Sequence, residues 1–151
     1  WVPHIKPLAL ATPHSQLITP IILGMDVTLA CPEHYELDPE IMKKYKVKVN
    51  HNQDEALKNA DVVTAKSWGA IKFWGDFENE AKYRKNLDNW MITKEKMDLT
   101  NNGYLMHCLP MRRNVEISDE AVESKNCLVI EEAENRMWSQ MAIITYLLTQ
   151  N

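Results

Sequence analysis

The chain has 151 residues, of which 45% are hydrophobic and 25% charged, the size and composition of one ordinary globular domain. A net charge of -4 argues against a general nucleic-acid surface, which would be basic, and no apolar run approaches the roughly 20 residues needed to cross a bilayer. The three cysteines, Cys31, Cys108 and Cys127, have no CxxC spacing. We therefore expect neither a zinc site nor a disulfide framework, and a reducing, cytoplasmic setting is the simplest interpretation.

Short apolar runs alternate with helical patterns along the chain. The apolar runs predict five strands, at residues 26–31, 46–49, 61–66, 104–107 and 127–130. Helices are predicted at residues 15–24, 38–45, 53–59, 80–90 and 118–122, and from residue 134 onward. This alternation predicts an α/β fold, with an open, mostly parallel, doubly wound (Rossmann-like) sheet and helices on both faces.

Two of the predicted helices differ in character. The helix at residues 80–90 is charged, so we expect it to lie on the surface. The last helix repeats apolar residues at helical spacing and is expected to turn them toward the core. These residues are Met137, Met141, Ile144 and Leu148.

Polar side chains follow three predicted strand ends. They are Lys66 after the third strand, then His107, Cys108, Arg112 and Arg113 after the fourth, then Glu131, Glu132, Glu134, Asn135 and Arg136 after the fifth. The carboxyl ends of parallel strands share one crevice, and guanidinium and ammonium groups gathered there suit a carboxylate or phosphate. The plainer alternatives are a solvated basic turn, a solvated strand-end lysine, and an ion pair between Arg136 and Glu132.

The aromatic segment 68–77 directly follows the third strand and predicts either a packed loop or a loop that covers a ligand. A nucleophilic Cys108 is disfavoured, because its neighbour His107 would point to the opposite face of a strand. A dinucleotide site is also disfavoured, because the chain has four glycines and no GxGxxG follows a strand.

The order of four motifs resembles the ornithine-type carbamoyltransferases of the aspartate/ornithine carbamoyltransferase superfamily. The motifs are Lys66-Ser67-Trp68-Gly69, Asn101-Asn102-Gly103, His107-Cys108-Leu109-Pro110 and Glu132-Ala133-Glu134-Asn135-Arg136. The resemblance covers residues 1–151 and is to the C-terminal, ornithine-side domain. Lysine and tryptophan beside Ser67 replace the Ser-Met-Gly loop of the free-ornithine enzymes. This replacement resembles the branch that acts on N-acetylornithine, with the N-succinylornithine branch as the nearest competitor.

The resemblance implies carbamoyl transfer from carbamoyl phosphate to the δ-amino group of an acylated ornithine, a step of arginine biosynthesis, with no metal or redox cofactor. Arg136 and the surroundings of His107 would face the carbamoyl group, and backbone carbonyls of Cys108 and Leu109 would orient the amine. The Leu109–Pro110 bond is expected to be cis. The remaining site residues implied are Lys66 for the α-carboxylate, Arg112 for the acylated substrate or the carbamoyl phosphate, and Trp68 in the substrate loop.

Glu116 stands where some N-acetylornithine enzymes have a lysine carrying a carboxyl group, so we hypothesise that it supplies that negative charge directly. A plain surface glutamate is the alternative.

The family's carbamoyl-phosphate domain carries a Ser-x-Arg-Thr motif that residues 1–151 lack. This chain is therefore expected to be the acylornithine-binding domain alone, inactive by itself, within a protein that is a homotrimer in relatives. Beyond its two small-molecule substrates and the missing domain, no nucleic acid or membrane partner is expected. A stand-alone, non-catalytic binding domain is the rival interpretation.

Overall fold

The computed structural model describes residues 1–150. It has four short strands, β1 (Thr28–Ala30), β2 (Lys48–Asn50), β3 (Val62–Thr64) and β4 (Tyr104–Met106). Seven α-helices alternate with them or follow them: α1 (Ala11–Ile22), α2 (Pro39–Lys44), α3 (Gln53–Leu57), α4 (Phe77–Arg84), α5 (Lys94–Met97), α6 (Asp119–Val122) and α7 (Val129–Thr149).

The strands pair in parallel, β1 with β2 and β3 with β4. The first two residues of the chain connect the two pairs. The α-amino group of Trp1 donates a hydrogen bond to the Ala30 carbonyl at 2.6 Å, and the Val2 amide donates to the Lys66 carbonyl at 3.1 Å. Parallel pairing within an alternation of strands and helices confirms the predicted α/β class.

The predicted fifth strand is wrong. Residues 127–130 contribute one parallel bridge, from Cys127 to Leu105, and α7 then begins at Val129 instead of near residue 134. Glu131 and Glu132 fall in the first turn of α7, where negative charge is favoured beside the unpaired amides of a helix. The acidic and basic residues expected at a strand end therefore lie on a helix.

Two other helices also differ from their predicted bounds. The first begins at Ala11 rather than Ser15 and accommodates Pro13 in its first turn, where a proline costs no hydrogen bond. The charged helix α4 is capped by Asp76, which accepts from the Asn79 amide, and it ends at Arg84. The expectation that this helix lies on the surface is wrong for two of its residues, Glu80 and Arg84, which are buried.

The core consists of two clusters, and the first two residues belong to different ones. Trp1 packs with a cluster that is rich in aromatic side chains, and Val2 packs with an aliphatic one, as expected when neighbours in an extended segment point to opposite faces. The aromatic cluster contains Trp1, Leu17, Leu29, Cys31, Tyr35, Leu37, Trp68, Ala70 and Trp90. The aliphatic cluster contains Val2, Leu57, Val63, Ala65, Ile92, Leu105, Ile117 and Ala121.

The long helix α7 does not face this core, so its predicted packing is wrong. Val129 is its buried residue. The four side chains expected to point inward are at least half exposed: Met137, Met141, Ile144 and Leu148. The helical period was correct, but the chain 1–150 holds nothing for this helix to pack against beyond its first turns. Within the same residues, no helix has the length and apolar character needed to cross a membrane.

Candidate substrate cleft

A cleft of about 560 Å³ lies where the segment that follows Val2, the end of β3 and the turn after β4 come together. Its lining is cationic and apolar: His4, Lys6, Leu8, Ala9, Thr12, Lys66, Pro110, Met111 and Arg112. Two of the predicted site residues, Lys66 and Arg112, therefore meet in one cavity. They meet because β3 and β4 are parallel neighbours, whose carboxyl ends lie at the same edge.

The turn after β4 is fixed at both ends by buried side chains. His107 Nδ1 accepts a hydrogen bond from the Leu109 amide at 3.0 Å, and Glu116 Oε2 accepts one from the Arg112 amide at 2.6 Å. The Leu109–Pro110 peptide bond is cis, which confirms that prediction. The backbone of the turn is thus held by the side chains of His107 and Glu116, both fully buried.

The imidazole of His107 faces the carboxyl group of Glu116, and the carboxyl group of Glu132 lies close to His107 as well. Since Nδ1 accepts a hydrogen bond, we assign the proton to Nε2, which lies 3.7 Å from Glu116 Oε1. Burial raises the pKa of Glu116, but the facing His107 and the Arg112 amide outweigh it and hold the pKa below its ordinary value. Burial raises the pKa of Glu132 above its ordinary value, and His107 and Lys66 offset this only partly.

Some predicted site residues lie at the cleft and others do not. Cys108 and Leu109 are half-buried within the turn itself. Trp68 is 3% exposed and belongs to the aromatic core, where its indole Nε1 donates to the Tyr35 carbonyl at 2.8 Å, so it does not line the cleft. Of the two alternatives for segment 68–77, the position of Trp68 fits the packed loop, because burial of a large aromatic ring in the core is favourable.

The basic residues beyond the turn do not line the cleft. Arg136 is on the exposed surface of α7, in its interior rather than at its start, and is not among the residues that line the cleft. Arg113 forms surface ion pairs with Asp119 and Glu123, so it serves the structure around α6 rather than the cleft. The predicted crevice is therefore built from two strand ends, not three.

The N-terminal residues that line the cleft were not predicted from the sequence. His4, Lys6 and Thr12 line it, although none of them follows a predicted strand. A signal was present, since two basic residues stand between Pro3 and Pro7, which keep the chain extended. Within residues 1–150, no group of three or more histidine, cysteine or acidic side chains is arranged to hold a metal ion.

The fold and the cationic cleft define a ligand-binding α/β domain, and comparison with known proteins places it in a family. The family model for the aspartate/ornithine carbamoyltransferase Asp/Orn binding domain matches residues 10–147. The chain belongs to this family. The resemblance carried by the four motifs is thereby confirmed.

Within this family, the chain can be compared with individual relatives. The chain is 43% identical over 161 residues to the N-acetylornithine carbamoyltransferase of Xanthomonas campestris pv. campestris, covering 100% of this chain and 48% of the relative. It is 36% identical over 148 residues to the N-succinylornithine carbamoyltransferase of Bacteroides fragilis, covering 98% of this chain and 45% of the relative. A crystal structure of acetylornithine transcarbamylase complexed with acetylcitrulline superposes with a TM-score of 0.94 at 43% identity, covering 97% of this chain and 47% of that one. The chain thus spans about half the length of the relatives it matches.

Proposed function

We propose that the chain is the amino-acid-binding domain of an enzyme that transfers the carbamoyl group of carbamoyl phosphate to the δ-amino group of N-acetylornithine. The products are N-acetylcitrulline and phosphate, and the reaction belongs to arginine biosynthesis. The observation that carries this proposal is the cleft in which Lys66 and Arg112 meet beside the Leu109–Pro110 turn. The names of the 43% identical relatives support the acetyl substrate over the succinyl one.

The charge of the cleft suits an amino acid whose α-amino group is acylated. Such a substrate keeps its negative α-carboxylate but has no positive α-ammonium group. The positive side chains of the cleft therefore attract this end of the substrate without repelling a neighbouring positive charge. Lys66 would bind the carboxylate as a point charge, and Arg112 would offer a planar fork of donors to the carboxylate or to the acyl oxygen. Lys6, which lines the same cleft, adds a third positive group.

The turn after β4 would orient the attacking amine. The backbone carbonyls of Cys108 and Leu109 accept hydrogen bonds from the δ-amino group and direct its lone pair at the carbamoyl carbon. His107 stabilises this geometry by accepting the hydrogen bond of the Leu109 amide. Catalysis would then rest on positioning and on electrostatic stabilisation of the tetrahedral oxyanion, with no nucleophile supplied by Cys108.

Glu116 is proposed to act on the acylated substrate through the turn. Its carboxylate is 1% exposed and holds the Arg112 amide, which supports an indirect effect on Arg112 over direct contact with the acyl group. Trp68 would also act indirectly, because its side chain packs in the aromatic cluster and so fixes the segment that follows Lys66. Arg136, exposed on α7, is proposed to meet the carbamoyl group from outside this domain.

The remaining half of the site is proposed to come from a carbamoyl-phosphate domain outside this chain. Two observations support it: the chain spans 48% of its relative, and α7 leaves a long apolar surface exposed. We further propose a homotrimeric full-length protein located in the cytoplasm, the latter supported by three cysteines that form no disulfide within residues 1–150. Light scattering of the full-length protein tests the trimer.

A turnover assay tests the activity. The full-length protein is given carbamoyl phosphate with N-acetylornithine, N-succinylornithine or free ornithine, and the chain 1–151 is assayed in parallel. We expect turnover of N-acetylornithine by the full-length protein and none by the chain alone. Preference for free ornithine would contradict the acylated substrate, and preference for N-succinylornithine would select the rival branch. Ligand binding without turnover in the full-length protein would favour a non-catalytic binding domain.

A matched pair of lysine variants tests the assignment of the cleft. Lys66→Gln removes the charge proposed to bind the carboxylate, whereas Lys82→Gln removes a charge from the exposed face of α4. We expect Lys66→Gln to lower kcat/KM for N-acetylornithine by about tenfold or more, the effect of one charged hydrogen bond, and Lys82→Gln to leave it unchanged. Equal kinetics for the two variants would show that the substrate does not meet Lys66.

A further inference from the structure

A buried ion pair lies outside the cleft, on helix α4. Glu80 and Arg84 are one helical turn apart and are 2% and 5% exposed, with Glu80 Oε1 and Arg84 Nη2 2.5 Å apart. The four motifs do not include either residue. Removing charges from water to this depth costs free energy. The contacts that the two side chains make therefore indicate their role.

Nearly all the other polar contacts of the pair go to the segment that follows Lys66. Arg84 Nη1 donates to Ser67 Oγ at 3.2 Å, and Arg84 Nη2 donates to the Trp68 carbonyl at 3.1 Å. Glu80 Oε1 accepts from the Ala70 amide at 3.1 Å. The two side chains therefore bind segment 67–70 at three of its four residues, Ser67, Trp68 and Ala70.

Aromatic side chains hold the pair in place. The Arg84 guanidinium lies 5.3 Å from the ring centres of both Trp1 and Tyr35, within the range of cation–π attraction. The Tyr35 hydroxyl donates to Glu80 Oε1 at 3.3 Å, and the Tyr35 carbonyl accepts from the Trp68 indole. The guanidinium therefore has no room to turn away from the segment.

The same segment is packed against the N-terminal segment that lines the cleft. The Gly69 amide donates to the Leu8 carbonyl at 2.9 Å, and a Cβ at Gly69 would approach Pro7 Cβ to 2.8 Å, a distance that real contacts do not show. Leu8 and Lys6 line the same cleft as Lys66. Segment 67–70 thus connects Lys66, through the Gly69 amide, to the N-terminal segment that lines the cleft.

We propose that the Glu80–Arg84 pair is a positioning device that sets the width of the substrate cleft, by fixing segment 67–70 and with it the separation of Lys66 from the Lys6–Leu8 wall. This proposal rests on the proposed function in one respect, that the occupant of the cleft is an acylated amino acid. A role in stability alone is a weaker account, because replacing a buried ion pair by apolar residues is often neutral for folding.

The kinetic test separates positioning from structure. In the full-length protein, Arg84→Lys keeps the charge but loses the fork that reaches both Ser67 and Trp68, and Glu80→Gln keeps the shape but loses the charge. The matched control is Asp98→Asn, in the exposed Lys94–Asp98 pair of the same helical spacing. We expect KM for N-acetylornithine to rise about tenfold in both α4 variants, with KM for carbamoyl phosphate within about twofold of wild type and no change in the control.

Two kinetic results would overturn the proposal. One is a lower melting temperature with both KM values unchanged, which would make the pair structural only. The other is an equal rise of both KM values, which would mean a general distortion. If Arg84→Lys does not fold, Tyr35→Phe removes the single hydroxyl bond to Glu80 and is expected to raise the same KM about twofold, with the same two results overturning the proposal.

Amide hydrogen exchange decides the proposal independently of catalysis. Glu80→Gln weakens the acceptor of the Ala70 amide, so that amide is expected to exchange faster than in wild type and in Asp98→Asn, while amides in β4 are unchanged. Exchange at Ala70 equal to that of the control would overturn the positioning role. If the wild-type protein fails to turn over N-acetylornithine, the proposed function fails while this measurement still decides the role of the pair.

Discussion

The walls of the cleft and helix α7 distribute polar and apolar side chains in opposite ways. Around the cleft, four ionisable side chains are almost completely buried: Glu80, Arg84, His107 and Glu116. Along α7, large apolar side chains are exposed, including Trp138, Ile143, Tyr146 and Leu147. The first region buries charged side chains, which are usually exposed, and the second exposes large apolar side chains, which are usually buried.

The difference shows which region is complete within this chain. The charges of two buried carboxylates have partners inside residues 1–150, Arg84 for Glu80 and the Arg112 amide for Glu116. Within the same residues the exposed apolar side chains of α7 have no such partners, and an exposed apolar surface on a helix of 21 residues is typical of an interface. The buried carboxylates are therefore paired within this chain, whereas α7 presents a surface suited to contact with another domain or chain.

A matched pair of leucine variants measures this contrast in stability. In the chain 1–151, Leu105→Ala opens a cavity in the aliphatic core and is expected to lower the free energy of unfolding by about 2–5 kcal/mol. Leu147→Ala removes the same atoms from an exposed position on α7 and is expected to change it by less than about 0.5 kcal/mol. Urea unfolding followed by circular dichroism provides both values. A large loss for Leu147→Ala would mean that α7 already packs on this domain.

The basic side of the cleft should matter for catalysis rather than for folding. Arg112→Gln removes the guanidinium donors but leaves the backbone amide of residue 112, which donates a hydrogen bond to Glu116. We expect kcat/KM for N-acetylornithine in the full-length protein to fall by about 30-fold or more, equivalent to roughly 2 kcal/mol, with an unchanged melting temperature. The surface arginine variant Arg113→Gln is the control, and equal losses for the two would remove Arg112 from the site.

The contributions of the two carboxyl groups near His107 to stability should have opposite pH dependences. The pKa of Glu116 lies below its ordinary value, so its stabilising contribution is complete above about pH 4.3 and is lost as the pH falls through the folded-state pKa. The pKa of Glu132 lies above its ordinary value, so its contribution is complete below that pH and is lost as the pH rises through the folded-state pKa.

Glutamine variants of the chain 1–151 test these signs. At neutral pH, Glu116→Gln is expected to be less stable than wild type and Glu132→Gln more stable, and each difference is expected to shrink as the pH falls through the folded-state pKa of that carboxyl group. Urea midpoints across this pH range give the comparison, and the effects are expected to stay below about 2 kcal/mol. Differences of the same sign for the two variants would contradict the assignment of the pair.

Much of the cleft was predictable, and the errors have a common cause. The turn at residues 107–110 and the meeting of Lys66 with Arg112 follow from short motifs at the ends of neighbouring parallel strands, where local pattern and tertiary position agree. The run 127–130 was misassigned because a short apolar run is compatible with a strand or a helix start. The burial of Glu80 and Arg84 was missed because a charged helix pattern normally indicates solvent.

The α/β alternation follows from the local pattern of apolar residues, and the family and the chemistry of the turn follow from the resemblance carried by four short motifs. Which side chains meet depends on the tertiary structure. It places Lys6 in the same cleft as Lys66, buries the Glu80–Arg84 pair against segment 67–70, and leaves the apolar residues of α7 beyond its first turns exposed within residues 1–150. These outcomes depend on contacts between residues far apart in the chain, which local periodicity does not encode.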